Sequence, residues 1–290
     1  MIEMIVEADG ATLSATYSPG GETAVVALHG AAFGTGDYFL YEHLHRVLPP
    51  SGVGVLTFDR RGEGRSTGEP SRGRFSVQVD DALRMCDAVQ VNRVGLWGWS
   101  QGAWIAPLAA GASRRPAFLV LIASTGVTPA EQMRYYTAQQ LRAAGCDEAV
   151  VERALDLRTR VEAFVHGEGA DEARLQADLR AAALEPWFAL TYVPDTLPDA
   201  DGTRDWIAEM DFDPRPSFAH VRVPTLLLYG SSDDVTPVQP SIDAWRMSGA
   251  DPEICVIAEA GHDLRLTDGV LAPYYERVLI DWLGSLNARR

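Results

Sequence analysis

Short apolar runs punctuate most of the chain, and the segments between them are long enough to form helices. Glu3 to Ala8 and Thr12 to Tyr17 flank Asp9-Gly10, a two-residue pair that predicts an antiparallel hairpin because its glycine accepts positive φ. Ala24 to Leu28, Val53 to Phe58, Val94 to Trp97, Phe118 to Ala123, Thr225 to Tyr229 and Ile254 to Ile257 are short and bounded by turn residues, and they predict buried strands. Eight strands with interleaved helices imply an α/β class: a mostly parallel, doubly wound sheet whose first hairpin is antiparallel. Ligands of such sheets sit beyond the carboxyl ends of the strands, so the loops at those ends are where chemistry is expected.

One stretch breaks the alternation. Between Thr128 and Ser217 strand character disappears and helical spacing replaces it. Thr128-Pro129-Ala130-Glu131 has the form of a capping box with proline at the first helical position, and Gly145 offers a stop. A second helix is predicted over about Glu148 to Val165 and a third over about Asp171 to Leu184, followed by a segment rich in proline and aromatic residues. The expected organisation is therefore a core in two parts, 1–127 and 218–290, with a helical insertion at 128–217 after strand six. No internal repeat or low-complexity tract is evident.

Composition narrows the function. The formal charge of −15 argues against a nucleic-acid partner and gives no support to an anionic membrane surface. All 25 basic side chains are arginine, so a protein Schiff base, a Ser-Lys dyad and a P-loop lysine are excluded. The first residues carry acids without a basic segment, and no apolar run approaches the ~18 residues of a membrane span. A cytoplasmic location is the resulting expectation. Cys86, Cys146 and Cys255 are widely spaced without metal-type pairing and are expected to be buried free thiols.

The candidate chemistry centres on Gly98-Trp99-Ser100-Gln101-Gly102, which follows a predicted strand and precedes a helix-like stretch. Glycines two before and two after a serine permit a turn tight enough to lift the hydroxyl out of the backbone. A serine hydroxyl needs a base and a carboxylate to become a nucleophile, and both lie in later loops at strand ends. Asp233 and Asp234 follow the run Leu226 to Gly230, and His262 follows Ile254 to Ile257. Other polar residues have plainer readings. His29 is expected to shape its loop, and His43 and His45, two apart on a helix, face different directions, so no metal site is expected. Gly62-x-Gly64 is not followed by a helix and does not suit a dinucleotide. Asp80 and Asp81 look like first-turn carboxylates favouring a helix dipole.

These motifs together resemble the α/β-hydrolase superfamily over almost the whole chain. His29-Gly30-Ala31-Ala32 resembles its oxyanion loop, Asp59-Arg60-Arg61-Gly62-Glu63-Gly64-Arg65-Ser66 its D-x-R-G-x-G-x-S turn, and Gly230 to Pro237 its G-x-x-D-x-x-x-P acid loop. More narrowly, Gly98 to Ala110 is similar to bacterial capped serine esterases with G-W-S-Q-G-G-W-I-A-P, departing from them at Ala103, where a second glycine is usual. The resemblance implies an α/β-hydrolase fold, a helical cap formed by the insertion, and a triad of Ser100, Asp233 and His262. It favours Asp233 over Asp234 by its spacing from Gly230, and Ser124 to Val127 offers no alternative carboxylate. It implies an oxyanion hole of the backbone N–H groups of Gln101 and Ala31. Phe33, Trp187 and Trp206 are candidate substrate contacts. The expected reaction is hydrolysis of a carboxylic ester of a small acyl substrate through an acyl-enzyme, without a cofactor. Amide, peptide or C–C bond hydrolysis would use the same triad, and a non-catalytic ligand-binding protein on this fold is the alternative of another class.

Overall fold

The structure is a computed structural model that describes residues 1–168 and 171–288. The expected hairpin is present as β1 (Ile2–Ala8) and β2 (Ala11–Ser18), joined by Asp9-Gly10 with Gly10 at φ +69°. The remaining strands are β3 (Thr23–Leu28), β4 (Val53–Phe58), β5 (Arg93–Trp99), β6 (Pro116–Ile122), β7 (Thr225–Gly230) and β8 (Glu253–Ile257). They form one eight-stranded sheet in the order β1-β2-β4-β3-β5-β6-β7-β8, antiparallel at β1–β2 and β2–β4 and parallel elsewhere.

Helices α1 (Phe39–Val47), α2 (Phe75–Ala88) and α3 (Gly102–Ala112) connect the first strands. α4 (Pro129–Ala143), α5 (Glu148–Val165), α6 (Glu172–Ala182) and α7 (Ala200–Met210) lie in the insertion. A single turn, α8 (Arg215–Phe218), then α9 (Val238–Met247) and α10 (Pro273–Ala288) complete the chain. Every residue of β3, β4 and β7 is buried, because helices cover both faces of the parallel strands. On one face Val25, Val55, Trp97, Phe118, Val120 and Leu228 pack with Leu40 and Leu44 of α1 and Leu279 and Trp282 of α10. α2 and α3 pack on the central strands as well. Two-sided burial removes any reason for polar alternation, which is why these strands read as continuous apolar runs.

By internal packing the chain divides into two compact units: 1–126 with 214–233 and 238–290, and 127–213 with 234–237. The second unit is built on the predicted capping box, in which Thr128 Oγ1 accepts from Glu131 N at 3.2 Å and Glu131 Oε2 accepts from Thr128 N at 2.9 Å. Its core gathers Leu141, Val151, Ala154, Leu157, Val161, Leu175, Leu179, Trp187 and Phe188. Asp234 belongs with this unit, where its Oδ2 accepts from Gln140 Nε2 at 2.8 Å. α6 ends at Ala182, two residues before the expected Leu184. α7 was not foreseen from the pattern, since Gly202 weakens its signal; its start is held by Asp199 Oδ1, which accepts from Gly202 N at 2.9 Å.

Two further expectations need correction. α2 begins at Phe75, so Asp80 and Asp81 lie mid-helix rather than in a first turn. Asp81 is buried and ion-paired with Arg61, whose Nη2 and Nε donate to its carboxylate at 2.6 and 3.0 Å. All three cysteines are free, but only Cys86 is fully buried, with its thiol pushed up to about 12 by desolvation; Cys146 and Cys255 are half-buried. No described helix is long and apolar enough to cross a membrane.

Candidate active site

β5 runs two residues past its predicted end, to Trp99, and delivers Ser100 at the sheet's carboxyl edge. There the chain reverses with Ser100 at φ +54°, a conformation uncommon for a residue with a Cβ. Ser100 N donates to Ile122 O at 2.9 Å, extending the β5–β6 ladder, and Ser100 O accepts from Ala103 N at 2.9 Å, opening α3. The flanking glycines are required by contact. A Cβ on Gly98 would run into the backbone of Gly102, and one on Gly102 would lie 2.7 Å from the carbonyl carbon of Leu28. Ala103, where the similar esterases carry glycine, is fully buried and accommodated.

The other two expected triad residues meet in the same unit. Asp233 is buried, and both its carboxylate oxygens lie close to His262 Nδ1, at 3.0 and 3.1 Å. A carboxylate there accepts a hydrogen bond from Nδ1–H and fixes the tautomer that leaves Nε2 as the basic nitrogen. Glycine again decides the approach: a Cβ on Gly230 would occupy the space of the Ala260 and Gly261 carbonyls. Ser231 N donates to Ile257 O and Ser232 N to Ala260 O, both at 2.9 Å, so the acid loop is laced to the segment that leads into His262. Asp234, by contrast, points to Gln140.

Trp99 ties the elbow to this pair. Its indole Nε1 donates to His262 O at 3.2 Å, and its ring lies 5.7 Å from the imidazole. Tyr38 stacks on Trp99 and Phe33 on Tyr38, each pair with centroids 4.8 Å apart and planes inclined by 17°, and Phe33 also lies 6.4 Å from Trp99, so the three rings form one cluster. Phe33 is the most exposed of the three, at 47%. Trp187 lies in the core of the helical unit with Arg153 stacked on it at 5.2 Å, and Trp206 packs against the same core, so both have packing roles there.

The expected oxyanion donors flank this elbow. Gln101 N stands at the start of α3, where the helix dipole favours negative charge, and Ala31 N lies in the loop after β3. Among the described residues neither N–H donates a hydrogen bond within the chain. His29, which begins that loop, is buried; its Nε2–H donates to Phe58 O at 2.7 Å, and desolvation, aided by the Arg60 charge, lowers its pKa to about 4. It is a neutral structural histidine. His43 Nδ1 accepts from Arg46 at 2.9 Å, whereas His45 bridges Ser18 and Thr57 at 2.8 and 2.9 Å, so the two face different partners.

The turn after β4 is structural as well. Asp59 accepts from Gly36 N and Arg65 N, each at 2.8 Å, and Ser66 Oγ donates to Asp59 O at 2.6 Å. Gly62 and Gly64 take φ +74° and +55°, as a tight turn demands. Two residues of the neighbourhood went unnoticed in sequence: Tyr38, whose ring stacks on both Trp99 and Phe33, and Arg60, which occupies the unspecified position of the D-x-R-G motif. The only available signal was their closeness to recognised motifs.

The model of the family described as serine aminopeptidase, S33, matches residues 21–268, from before β3 through the histidine loop. The chain belongs to this family of α/β hydrolases. As an S33-family hydrolase it shares its fold with an esterase from Exiguobacterium antarcticum, at TM-score 0.63 and 19% identity over 98% of this chain and 100% of that one. It is equally similar to a proline iminopeptidase-related protein from Thermus thermophilus, at TM-score 0.63 and 24% identity over 99% of both chains. A lysophosphatidylserine lipase of Bos taurus is 38% identical over 86 residues, covering 28% of this chain and 21% of that protein. The chain thus matches about a fifth of that relative's length.

Proposed function

We propose that this S33-family hydrolase cleaves carboxylic esters of small molecules through a covalent acyl-serine. The observation that carries the reading is Ser100 held at φ +54° on an elbow bonded, through Trp99 Nε1, to the loop of a histidine paired with a buried carboxylate. Ser100 Oγ attacks the acyl carbonyl while His262 Nε2 takes its proton. His262, oriented by Asp233, returns that proton to the leaving alcohol. The oxyanion is met by the N–H groups of Gln101 and Ala31, and loss of one such donor typically costs about 3 kcal/mol of transition-state stabilisation. Water then attacks the acyl-enzyme with His262 as base, releasing the acid and restoring the serine. The residues named supply nucleophile, base and electrophilic stabilisation, so the scheme calls for no cofactor.

An ester is the preferred bond because an alkoxide leaves more readily than an amine, and because the chain's likeness is to esterases and a lipase among others. Peptide hydrolysis is the second reading, favoured by the family's description and by the iminopeptidase-related neighbour. The exposed Phe33 ring, packed on Tyr38 and Trp99, is the proposed substrate contact. A cytoplasmic site of action is part of the proposal. The test is kcat/KM over p-nitrophenyl esters of increasing acyl length alongside aminoacyl p-nitroanilides, N-terminal proline included. Faster ester turnover supports the proposal; a prolyl anilide turned over better than every ester would replace it with the peptidase reading.

A further inference from the structure

Arg60 and Arg61 are adjacent, both almost wholly buried, and turned to opposite purposes. Arg61 is spent on Asp81 of α2 and on the Asp9 carbonyl. Arg60 is spent on the two segments from which the oxyanion donors come. Its Nη1 donates to Gly30 O at 3.3 Å and to Gln101 Oε1 at 3.2 Å, and its Nη2 donates to Ala31 O at 3.2 Å. Its Nε donates to Glu63 Oε1 at 2.8 Å, and its own backbone N–H donates to Gly34 O at 2.6 Å. The loop after β3 is therefore held to Arg60 at three points, Gly30 and Ala31 on the guanidinium and Gly34 on the backbone N–H. Gly34 is part of the fit, because a Cβ there would collide with the Glu63 carboxylate.

The geometry points to Arg60 as a positioning residue that orients and polarises both oxyanion donors; the inference rests on the acyl-transfer reading above. A trans peptide is planar, so its C=O and N–H point in opposite directions. The Gly30 carbonyl and the Ala31 N–H belong to one peptide unit. Fixing Gly30 O on Arg60 turns the Ala31 N–H away from the guanidinium, and a cationic donor on that carbonyl strengthens the N–H as a donor. The bond to Ala31 O fixes the next peptide in the same way. On the other wall, Gln101 is 1% exposed, and its side-chain oxygen is shared by Arg60 Nη1 and Gln78 Nε2, the latter at 3.3 Å. Holding that side chain steadies the Ser100–Gln101 peptide, whose N–H is the second donor. One side chain thus sets the spacing between two donors that arrive from different strands, β3 and β5. Lysine cannot do this, because a point charge lacks the planar fork that reaches several acceptors at once.

The test compares Arg60→Lys with Arg61→Lys, a matched pair in which each keeps its charge and loses its fork, with Arg60→Met as the stronger variant. Readouts are Tm, kcat and KM on the p-nitrophenyl ester that wild type turns over best, and Ki for an aryl trifluoromethyl ketone, which forms a tetrahedral oxyanion on the serine. Arg60→Lys should lose kcat by roughly 10-fold and Arg60→Met by up to roughly 100-fold, with KM little changed and Ki weakened by the same factors. Arg61→Lys should lower Tm while leaving kcat and Ki close to wild type. If Arg60→Met does not fold, Arg60→Lys decides alone. Equal kcat and Ki for the two lysine variants, or an Arg60 effect confined to Tm, would overturn the inference and leave the acyl-transfer reading standing. A wild-type protein that neither turns over any ester or anilide nor binds the ketone would overturn that reading itself.

Discussion

Ser100 occupies a left-handed conformation that costs on the order of 1–3 kcal/mol for a residue with a Cβ, and its neighbours impose it from both sides. The strain makes sense if the hydroxyl must project beyond the strand end. The acid is the residue-level assignment most open to direct test. Asp233→Asn should lower kcat on the order of 10⁴-fold, because the imidazole loses its tautomer, whereas Asp234→Asn should leave kcat near wild type, since Asp234 serves Gln140. Steady-state kinetics of the two variants would separate them, and a larger loss in Asp234→Asn would contradict the assignment. His29 gives a prediction in stability. Its folded pKa of about 4 lies below the ordinary 6.5, so the unfolded chain takes up a proton that the folded chain refuses between those values. The His29 contribution to stability is then fully retained above about pH 6.5 and is lost, to the extent of roughly 3 kcal/mol, as pH drops through 4. His29→Gln, able to keep a donor toward Phe58 O, should flatten that part of a urea-midpoint profile; an unchanged pH dependence would count against a buried neutral His29.

At the scale of elements, the strands were legible because two-sided burial writes itself as uninterrupted apolar runs, and the hairpin because Asp9-Gly10 suits its turn. The capping box at Thr128 was legible for the same kind of reason: the bonds are local, so their residues are close in sequence. What escaped notice is non-local or weakly patterned. α7 hides behind Gly202, the early start of α2 moved Asp80 and Asp81 into mid-helix, and Arg60 acts on partners 29 to 41 residues away in sequence. The acid loop shows the same division. Gly230 could be marked as part of a motif, but its reason, the approach of the Ala260 and Gly261 carbonyls, belongs to the loop after β8, about thirty residues on. Gly230→Ala should therefore separate the Asp233 and His262 loops, lowering both Tm and kcat. A variant with wild-type kcat would show that the close approach is not needed for the pair.

For the whole molecule the dominant long-range property is charge. The chain carries −15, and residues 128–217 account for −9 of it, with 18 Asp and Glu against 9 Arg. Such a field should slow encounter with anionic substrates and favour neutral or cationic ones, an effect that 0.1 M salt confines to about 10 Å. Matched esters bearing a carboxylate, no charge or an amine should rank in rising kcat/KM at low salt and converge at high salt; a preference for the anion, or no salt effect, would remove charge from selectivity. The proposed function rests on one serine, Ser100, as the nucleophile, in the fold of an S33-family hydrolase and with the Asp233–His262 pair proposed as its base. Labelling with a fluorophosphonate followed by peptide mass spectrometry tests that claim most directly. The account predicts a single adduct on the peptide containing Ser100, absent from Ser100→Ala; no adduct, or one on another residue that persists in Ser100→Ala, would contradict it.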